Sequence, residues 1–261
     1  MSTPPSLSLN GKVVIQFGGT GLLGRGLVSS IAAAGATLVV TSRNRPALES
    51  MAQAEAAAGH TVLVEETDIT SEASLQALRD RVLARHGRID GIVFNAVSRP
   101  MRSLHDDLAR WKESMEVNST GFFASVRTFG DAMAAQGGGS IVNIGSMYNI
   151  IGSNPFLYEG TEMKTSPDYF FHKAGMLNLT RYLASEYGPR GVRVNVVSPG
   201  GIFNPEKPQP KAFLERYGKM TMLGRMARVD EIGGSVIFLL SDAATYITGL
   251  NLLVDGGLTA K

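Results

Sequence analysis

Tyr169 and Lys173 stand four residues apart in the stretch DYFFHKAG, with Ser146 upstream in IVNIGSM and Asn118 earlier still in VNSTG. On a helix that spacing puts the phenol and the ammonium on one face, roughly 5–6 Å apart at Cβ. A free phenol ionises near pH ~10, too high to trade protons readily at neutrality. A nearby ammonium stabilises the phenolate, which suits the pair to general acid–base work. Ser146 is then a candidate to hold a substrate oxygen while Tyr169 gives or takes its proton. Tyr-x-x-x-Lys alone is common on helix surfaces, so the assignment depends on what surrounds it.

What surrounds it is a regular alternation. Short β-rich runs at 12–17, 37–41, 61–65, 91–95, 140–145, 192–198 and 251–255 alternate with helical stretches, among them one ending at Gly35 and an Ala-rich one at 46–58. Strands alternating with helices imply a doubly wound parallel sheet covered on both faces, an α/β fold. No internal repeat or linker divides the chain, so 1–261 reads as one domain. Two segments break the rhythm, 147–167 between Ser146 and Tyr169, and 201–220, rich in Pro and Lys. Both leave the carboxyl ends of strands, where such folds bind ligands, and both read as active-site loops.

The first crossover carries Gly18-Gly19-Thr20-Gly21-Leu22-Leu23-Gly24, the pattern G-x-x-G-x-x-G opening a helix directly after a strand. Glycines there allow a tight turn and let a pyrophosphate approach the free N–H groups of the helix start. The second strand ends at Thr41-Ser42-Arg43, without the carboxylate that would bind the ribose hydroxyls of NAD. Arg43 is instead suited to a 2′-phosphate, with Arg25 as a helper, so NADP(H) is favoured over NAD(H). The competing reading makes Arg43 and Arg45 solvated charges. Asp68, followed by Ile69, is placed to accept from an adenine amino group or to cap the next helix.

Composition narrows the options further. The 261-residue chain has a net charge of only +2 and no long basic run, so nothing calls for nucleic acid or an anionic membrane. It has no cysteine and four histidines without paired spacing, which excludes thiolate chemistry and leaves no expected metal site. The opening MSTPPSLSLNGK lacks the pattern of a secretory leader, and no apolar stretch reaches the roughly 18 residues of a membrane span. The expected location is the cytoplasm.

In this order the residues resemble the short-chain dehydrogenase/reductase family. The resemblance runs from Gly11 to Gly257 and includes the glycine turn, Asp68, FNA at 94–96, Asn118, Ser146, Tyr169, Lys173, RVNVVSPGGI at 193–202 and the closing FLLSDAATYITGLNLLVDGG. It implies a Rossmann-type doubly wound sheet of about seven strands. It also implies that Tyr169 is the acid/base, Lys173 binds the nicotinamide ribose and lowers the tyrosine pKa, Ser146 orients the substrate oxygen, and Asn118 holds a water that refills the proton. Gly18, Thr20, Gly21, Leu22, Leu23, Gly24, Arg43, Asp68, Ile69, Asn95, Ala96, Pro199, Gly200 and Ile202 become the expected cofactor contacts, together with Tyr169 and Lys173. A homotetramer, or a dimer, is implied by the apolar EIGGSVIFLLSD helix and the last strand.

Three departures stand out. Leu22 interrupts the commoner glycine spacing, Val97 replaces a glycine after Asn95-Ala96, and the interval from Ser146 to Tyr169 is longer than usual. The inserted segment and SPGGIFN resemble a bacterial subgroup concerned with surface sugars and flagellin glycans, and the last third resembles gluconate 5-dehydrogenases. A polar, sugar-like or sugar-acid substrate is the implied class. Tyr158, Glu159 and Glu162 are candidates to bond its hydroxyls, and Arg99 and Arg102 to meet a carboxylate or phosphate. The plainer reading leaves each on a surface loop. His172 is expected to pack against a neighbouring helix and Asp168 to be a helix N-terminal carboxylate. Met220, Met222 and Met226 are read as adaptable packing and Gly137-Gly138-Gly139 as a turn. Alternatives are a 3-oxoacyl thioester reductase and, in another class, a catalytically silent dinucleotide sensor or scaffold.

Overall fold

A computed structural model describes residues 6–261; residues 1–5, which open the stretch read above for a leader, lie outside it. Val13–Phe17, strand β1, is buried along its whole length, and a strand of that kind needs cover on both faces. It lies inside a seven-stranded sheet in which every pair is parallel. The other strands are β2 (Thr37–Ser42), β3 (Val62–Glu66), β4 (Gly91–Phe94), β5 (Gly139–Ile144), β6 (Val192–Pro199) and β7 (Asn251–Val254). Their spatial order is 3-2-1-4-5-6-7, so the chain leaves β1 and β4 in opposite directions across the sheet. The expected doubly wound α/β fold is present, with strand ends moved by a residue or two.

The described residues form eight α-helices, most of them packed on the sheet: α1 (Leu22–Ala33), α2 (Arg45–Ala57), α3 (Glu72–His86), α4 (Leu108–Met115), α5 (Phe122–Ala135), α6 (Pro167–Tyr187), α7 (Lys211–Met220) and α8 (Asp230–Leu240). Alternation along β1 divides the core. Val13, Ile15 and Phe17 join Leu75, Leu78, Phe122 and Phe129 on one face. Val14 joins Leu27, Ile31, Leu48, Ile232 and Val236 on the other. Phe17 touches Phe94 and Phe129 at centroid separations of 5.8 and 5.4 Å, tying the site-bearing ends of β1 and β4 to α5.

Two elements differ from the sequence reading. Residues 201–220 are not loop throughout, because Lys211–Met220 form α7. Phe213 and Tyr217, four apart in KAFLERYGKM, make its buried edge, and charged neighbours mask that pattern. Between α4 and α5 the helix widens into a π-turn, Glu116–Gly121, centred on Asn118. Such widened turns occur mostly at functional sites.

The glycine turn is sterically determined. Gly18 has φ +77°, and a Cβ there would lie 2.6 Å from the Ala96 backbone. A Cβ on Gly24 would lie 2.2 Å from the Gly18 carbonyl oxygen. Alanine inside a helix is intrinsically better than glycine by about 1 kcal/mol, but overpacking against backbone costs roughly 1–3 kcal/mol. Gly24→Ala is therefore expected to lower stability, measured by chemical denaturation; a stabilised variant would refute the close packing.

Candidate active site

The carboxyl ends of β1, β4, β5 and β6 open onto one cleft of about 720 Å³. Of the residues expected to bind cofactor, Gly21, Leu22, Leu23, Gly24, Asn95, Pro199, Gly200 and Ile202 line it, as do Ser146, Tyr169 and Lys173. Gly21 is the N-cap of α1, and a Cβ there would meet nothing within 4 Å. The N–H groups that follow it have no intrahelical acceptor, as at any helix start. An open glycine before free N–H donors fits a pyrophosphate, so these residues suit a nicotinamide dinucleotide. Gly18 and Ala96 lie beneath, backbone against backbone, and Asn95 Nδ2 donates to the Gly18 carbonyl at 2.8 Å. Thr20 is half-buried in the same turn.

At the far end of β2, Arg43 is exposed, and its charge reaches the half-buried Asp68. Asp68 Oδ1 accepts from the Thr70 backbone N–H (2.9 Å) and hydroxyl (2.7 Å), and these bonds, ahead of Arg43, hold its carboxyl below the usual range. The cap of α3 is Ser71, not Asp68. Ile69 is buried, with its side chain and carbonyl against Gly121. Arg25 was expected beside a 2′-phosphate, but it pairs instead with Glu206 at 3.1 Å, in the segment after β6.

Ser146 follows β5 and starts a short 3-10 turn, its hydroxyl accepting from the Tyr148 N–H at 3.2 Å. Asn149 closes that turn by accepting from the Ser146 N–H (3.0 Å) while its amide donates to Ser198 (2.8 Å), which in turn donates to Asn251 (2.6 Å). Sequence reasoning missed Asn149, whose signal is the reciprocal cap Ser-x-x-Asn. Lys173 is buried, and its Nζ donates to the Ile144 carbonyl at 2.5 Å and lies 5.7 Å from the Tyr169 ring centroid. Burial, then the Arg99 charge, pulls its pKa down to about 7. Asn118 is set back from the cleft wall. Its amide oxygen accepts from the Ser98 N–H, and its nitrogen donates to the Ser98 carbonyl and to Ser114 Oγ.

Residues 21–259 match the family profile described as enoyl-(acyl carrier protein) reductase. The chain belongs to the short-chain dehydrogenase/reductase family. It is 34% identical over 252 residues to cis-4-hydroxycyclohexanecarboxylate dehydrogenase of Sinomonas cyclohexanicum, covering 95% of this chain and 97% of that one. It is 34% identical over 257 residues to the L-tagatose-forming galactitol 2-dehydrogenase of Cereibacter sphaeroides, covering 96% of both. Among solved structures, a gluconate 5-dehydrogenase from Burkholderia cenocepacia J2315, in complex with NADP and tartrate, superposes with a TM-score of 0.87 at 28% identity over 98% of both chains. The protein is accordingly an oxidoreductase of the alcohol/carbonyl class, in a family that binds nicotinamide dinucleotides. Among the described residues no helix is long and apolar enough to cross a membrane, and no cluster of acidic residues and histidines could hold a metal.

Beside the cleft lies a buried polar group whose burial the sequence did not signal. Asp168 is the expected carboxylate in the first turn of α6, and it is fully buried, accepting from Ser114 Oγ at 2.5 Å while its other oxygen has no partner among the described residues. A carboxylate can only accept here, so Ser114 must donate to it and accept from Asn118. That order fixes which way the Asn118 amide points. His172 is buried as expected, edge-on to Tyr169 with centroids 5.2 Å apart. Tyr158 and Glu162 line the cleft, whereas Glu159 does not; Tyr158 shares a 2.8 Å hydroxyl contact with Tyr148. Met226 reaches the cleft wall and Met222 is exposed beyond it. Gly137–Gly139 do turn into β5.

Ser114→Ala leaves Asp168 buried without a donor, a loss of roughly 1–3 kcal/mol that thermal or chemical denaturation would read. An unchanged transition would refute the bond. His172 supplies a pH signature, because burial, then the Lys173 charge, lowers its pKa from 6.5 to about 3. The unfolded chain takes up that proton first, so the stability held above pH 6.5 is lost as pH falls toward 3. His172→Leu is expected to flatten that part of the stability–pH curve; a slope identical to wild type would contradict a neutral buried imidazole.

Proposed function

We propose that this chain is an NADP(H)-dependent oxidoreductase acting on the carbonyl or secondary alcohol of a polar, sugar-like or sugar-acid substrate. The observation that carries the reading is one cleft holding Ser146, Tyr169 and Lys173 against the glycine turn at the start of α1. Bound there, the nicotinamide would supply or accept the hydride. In reduction, Ser146 holds the substrate oxygen and Tyr169 delivers a proton to it. Lys173 would hold the cofactor ribose, and Asn118, aligned through Ser114 and Asp168, backs the path by which the proton is refilled.

Arg43, exposed at the end of β2 where no carboxylate stands, supports NADP(H) over NAD(H). The contacts proposed for the adenosine half are Thr20, Arg43, Asp68 and Ile69, and for the nicotinamide half Asn95, Ala96, Pro199, Gly200 and Ile202. The substrate class draws on the galactitol and gluconate relatives, and on a cleft lined by Ser146, Tyr148, Tyr158 and Glu162. Those polar groups suit the hydroxyls of a polyhydroxylated compound, beside apolar lining from Met101, Met147, Met163 and Phe170. Segments 147–167 and 201–220 are proposed as the walls that select the substrate. Half-buried Ile237, Phe238 and Leu252 with exposed Leu253, around edge strand β7, support assembly into a homotetramer or dimer. A cytoplasmic location accompanies the cofactor requirement.

With a panel of keto-sugars, keto acids and 3-oxoacyl thioesters, NADPH consumption is expected with the polar ketones. Tyr169→Phe is expected to lower kcat by about 10²–10⁴-fold while NADPH still binds. NADPH binding without turnover in wild type would turn the reading toward a silent sensor. Arg43→Ala is expected to raise the KM for NADPH about tenfold or more and leave that for NADH in place; an unchanged ratio would defeat the cofactor preference.

A further inference from the structure

The cleft contains more positive charge than the proposed proton chemistry uses. Arg99, just after β4, lies over the Tyr169 ring, its Cζ 4.3 Å from the ring centroid. Arg102 and Lys164 line the same cleft. Several arginines elsewhere are matched to carboxylates, as in Arg25–Glu206, Arg81–Glu65 and Arg225–Glu231, while others such as Arg43 and Arg85 are not. Among the described residues Arg99, Arg102 and Lys164 have no such partner, although Glu162 shares the cleft and Glu159 lies nearby. Arg102 and Lys164 also wall a shallower depression of about 410 Å³, which shares Tyr158 and Thr165 with the cleft. The positive charge thus extends outward from the reacting centre.

Arg99 makes no side-chain hydrogen bond or ion pair among the described residues, so its N–H donors are free to meet the two oxygens of a carboxylate or phosphate beside the Tyr169 ring. Next to Ser146 and Tyr169, they sit beside the position the substrate oxygen must occupy. An unpaired Arg99 also disfavours the neighbouring Lys173 ammonium. An anion seated on Arg99 would offset that repulsion, so the cleft is electrostatically complementary to a negatively charged guest rather than to a neutral polyol.

We propose that Arg99 and Arg102 form an anion subsite, and that the substrate carries a carboxylate or phosphate close to its reacting carbon. The inference rests on the dehydrogenase reading above and narrows its substrate to hydroxy or keto acids or their phosphorylated counterparts.

The test is direct binding. Calorimetric titration of the protein, with and without saturating NADP⁺, uses cyclohexanecarboxylate and glycerol 2-phosphate against cyclohexanecarboxamide and glycerol. At least one anion is expected to bind about tenfold or more tighter than its neutral counterpart, with affinity falling as salt rises. Arg99→Gln and Arg102→Gln should each remove most of that margin. Arg85→Gln, exposed at the carboxyl end of α3, should preserve it. Binding of the carboxylate alone identifies acid substrates, and of the phosphate alone phosphorylated ones. Equal affinity for charged and neutral compounds, or a margin that survives both arginine variants, overturns the subsite. Anion binding without reduction of any carbonyl would sink the dehydrogenase reading and leave the subsite standing; carbonyl reduction without the binding margin would do the reverse.

Discussion

The ends of β1 and β4 approach so closely that not even a methyl group fits between them. Gly18 faces the Ala96 backbone where a Cβ would sit 2.6 Å away, and Asn95 Nδ2 bonds the Gly18 carbonyl across the gap. Because the chain leaves these two strands in opposite directions, the crevice of the sheet opens at this point. Gly24 presses the first turn of α1 onto the same carbonyl, which aims the helix start along the crevice. On the other side the strand end continues to Ser98, whose backbone forms two bonds to the Asn118 side chain. Ser114 and Asp168 extend the path to the residue before Tyr169. One chain of contacts therefore joins the anion-ready helix start to the proposed proton donor, across β1, β4, α4 and α6.

Charge within that frame is handled by burial. Lys173 has a backbone carbonyl as its hydrogen-bond partner and, among the described residues, no carboxylate at ion-pair distance, and its ammonium is correspondingly easy to discharge. A buried lysine without a counter-ion is costly as structure alone, and strong shifts of this kind concentrate where proton transfer is needed. Asp168 is buried one turn earlier on the same helix, yet its bond to Ser114 directs it toward Asn118. The acid and the base on α6 thus have separate assignments: the aspartate orients an amide, and the lysine faces the cleft.

The strands, the glycine turn and the Ser146, Tyr169 and Lys173 set were legible because each depends on local pattern: apolar runs, glycines at a strand end, and i,i+4 spacing on a helix. The resemblance to a known family placed them in order. Asp168 was legible as the carboxylate of a helix start, from its position just after Pro167, but its burial was not. Its burial depends on α4, more than fifty residues away in sequence, supplying Ser114 at the right depth. Arg25 was misassigned for the same reason, since Glu206 comes from a distant segment. The helix α7 escaped because its apolar edge has two strong members, Phe213 and Tyr217, set among charged residues. Tertiary partners, not propensity, decided all three.

Those distant segments bear on selectivity. Met147 and Leu157 from the insertion pack with Phe213 and Tyr217 of α7, and with Met226, into a small apolar cluster separate from the two cores on the faces of the sheet. Tyr217 also accepts from the Gly201 N–H, and Cβ atoms on Gly200 and Gly201 would each lie 2.8 Å from its ring or hydroxyl. The same side chain therefore anchors the wall opposite Ser146 and spaces the turn after β6. Met147 immediately follows Ser146, so the cluster is covalently joined to the residue proposed to hold the substrate oxygen. Changes of substrate along this lineage cannot be confined to a free loop. Altering the insertion moves the packing of α7, and altering α7 moves the Gly200–Gly201 turn. A cleft built this way evolves most readily through side chains outside the cluster, and Arg99, Arg102 and Lys164 are such residues: cleft-lining, exposed and outside the apolar cluster.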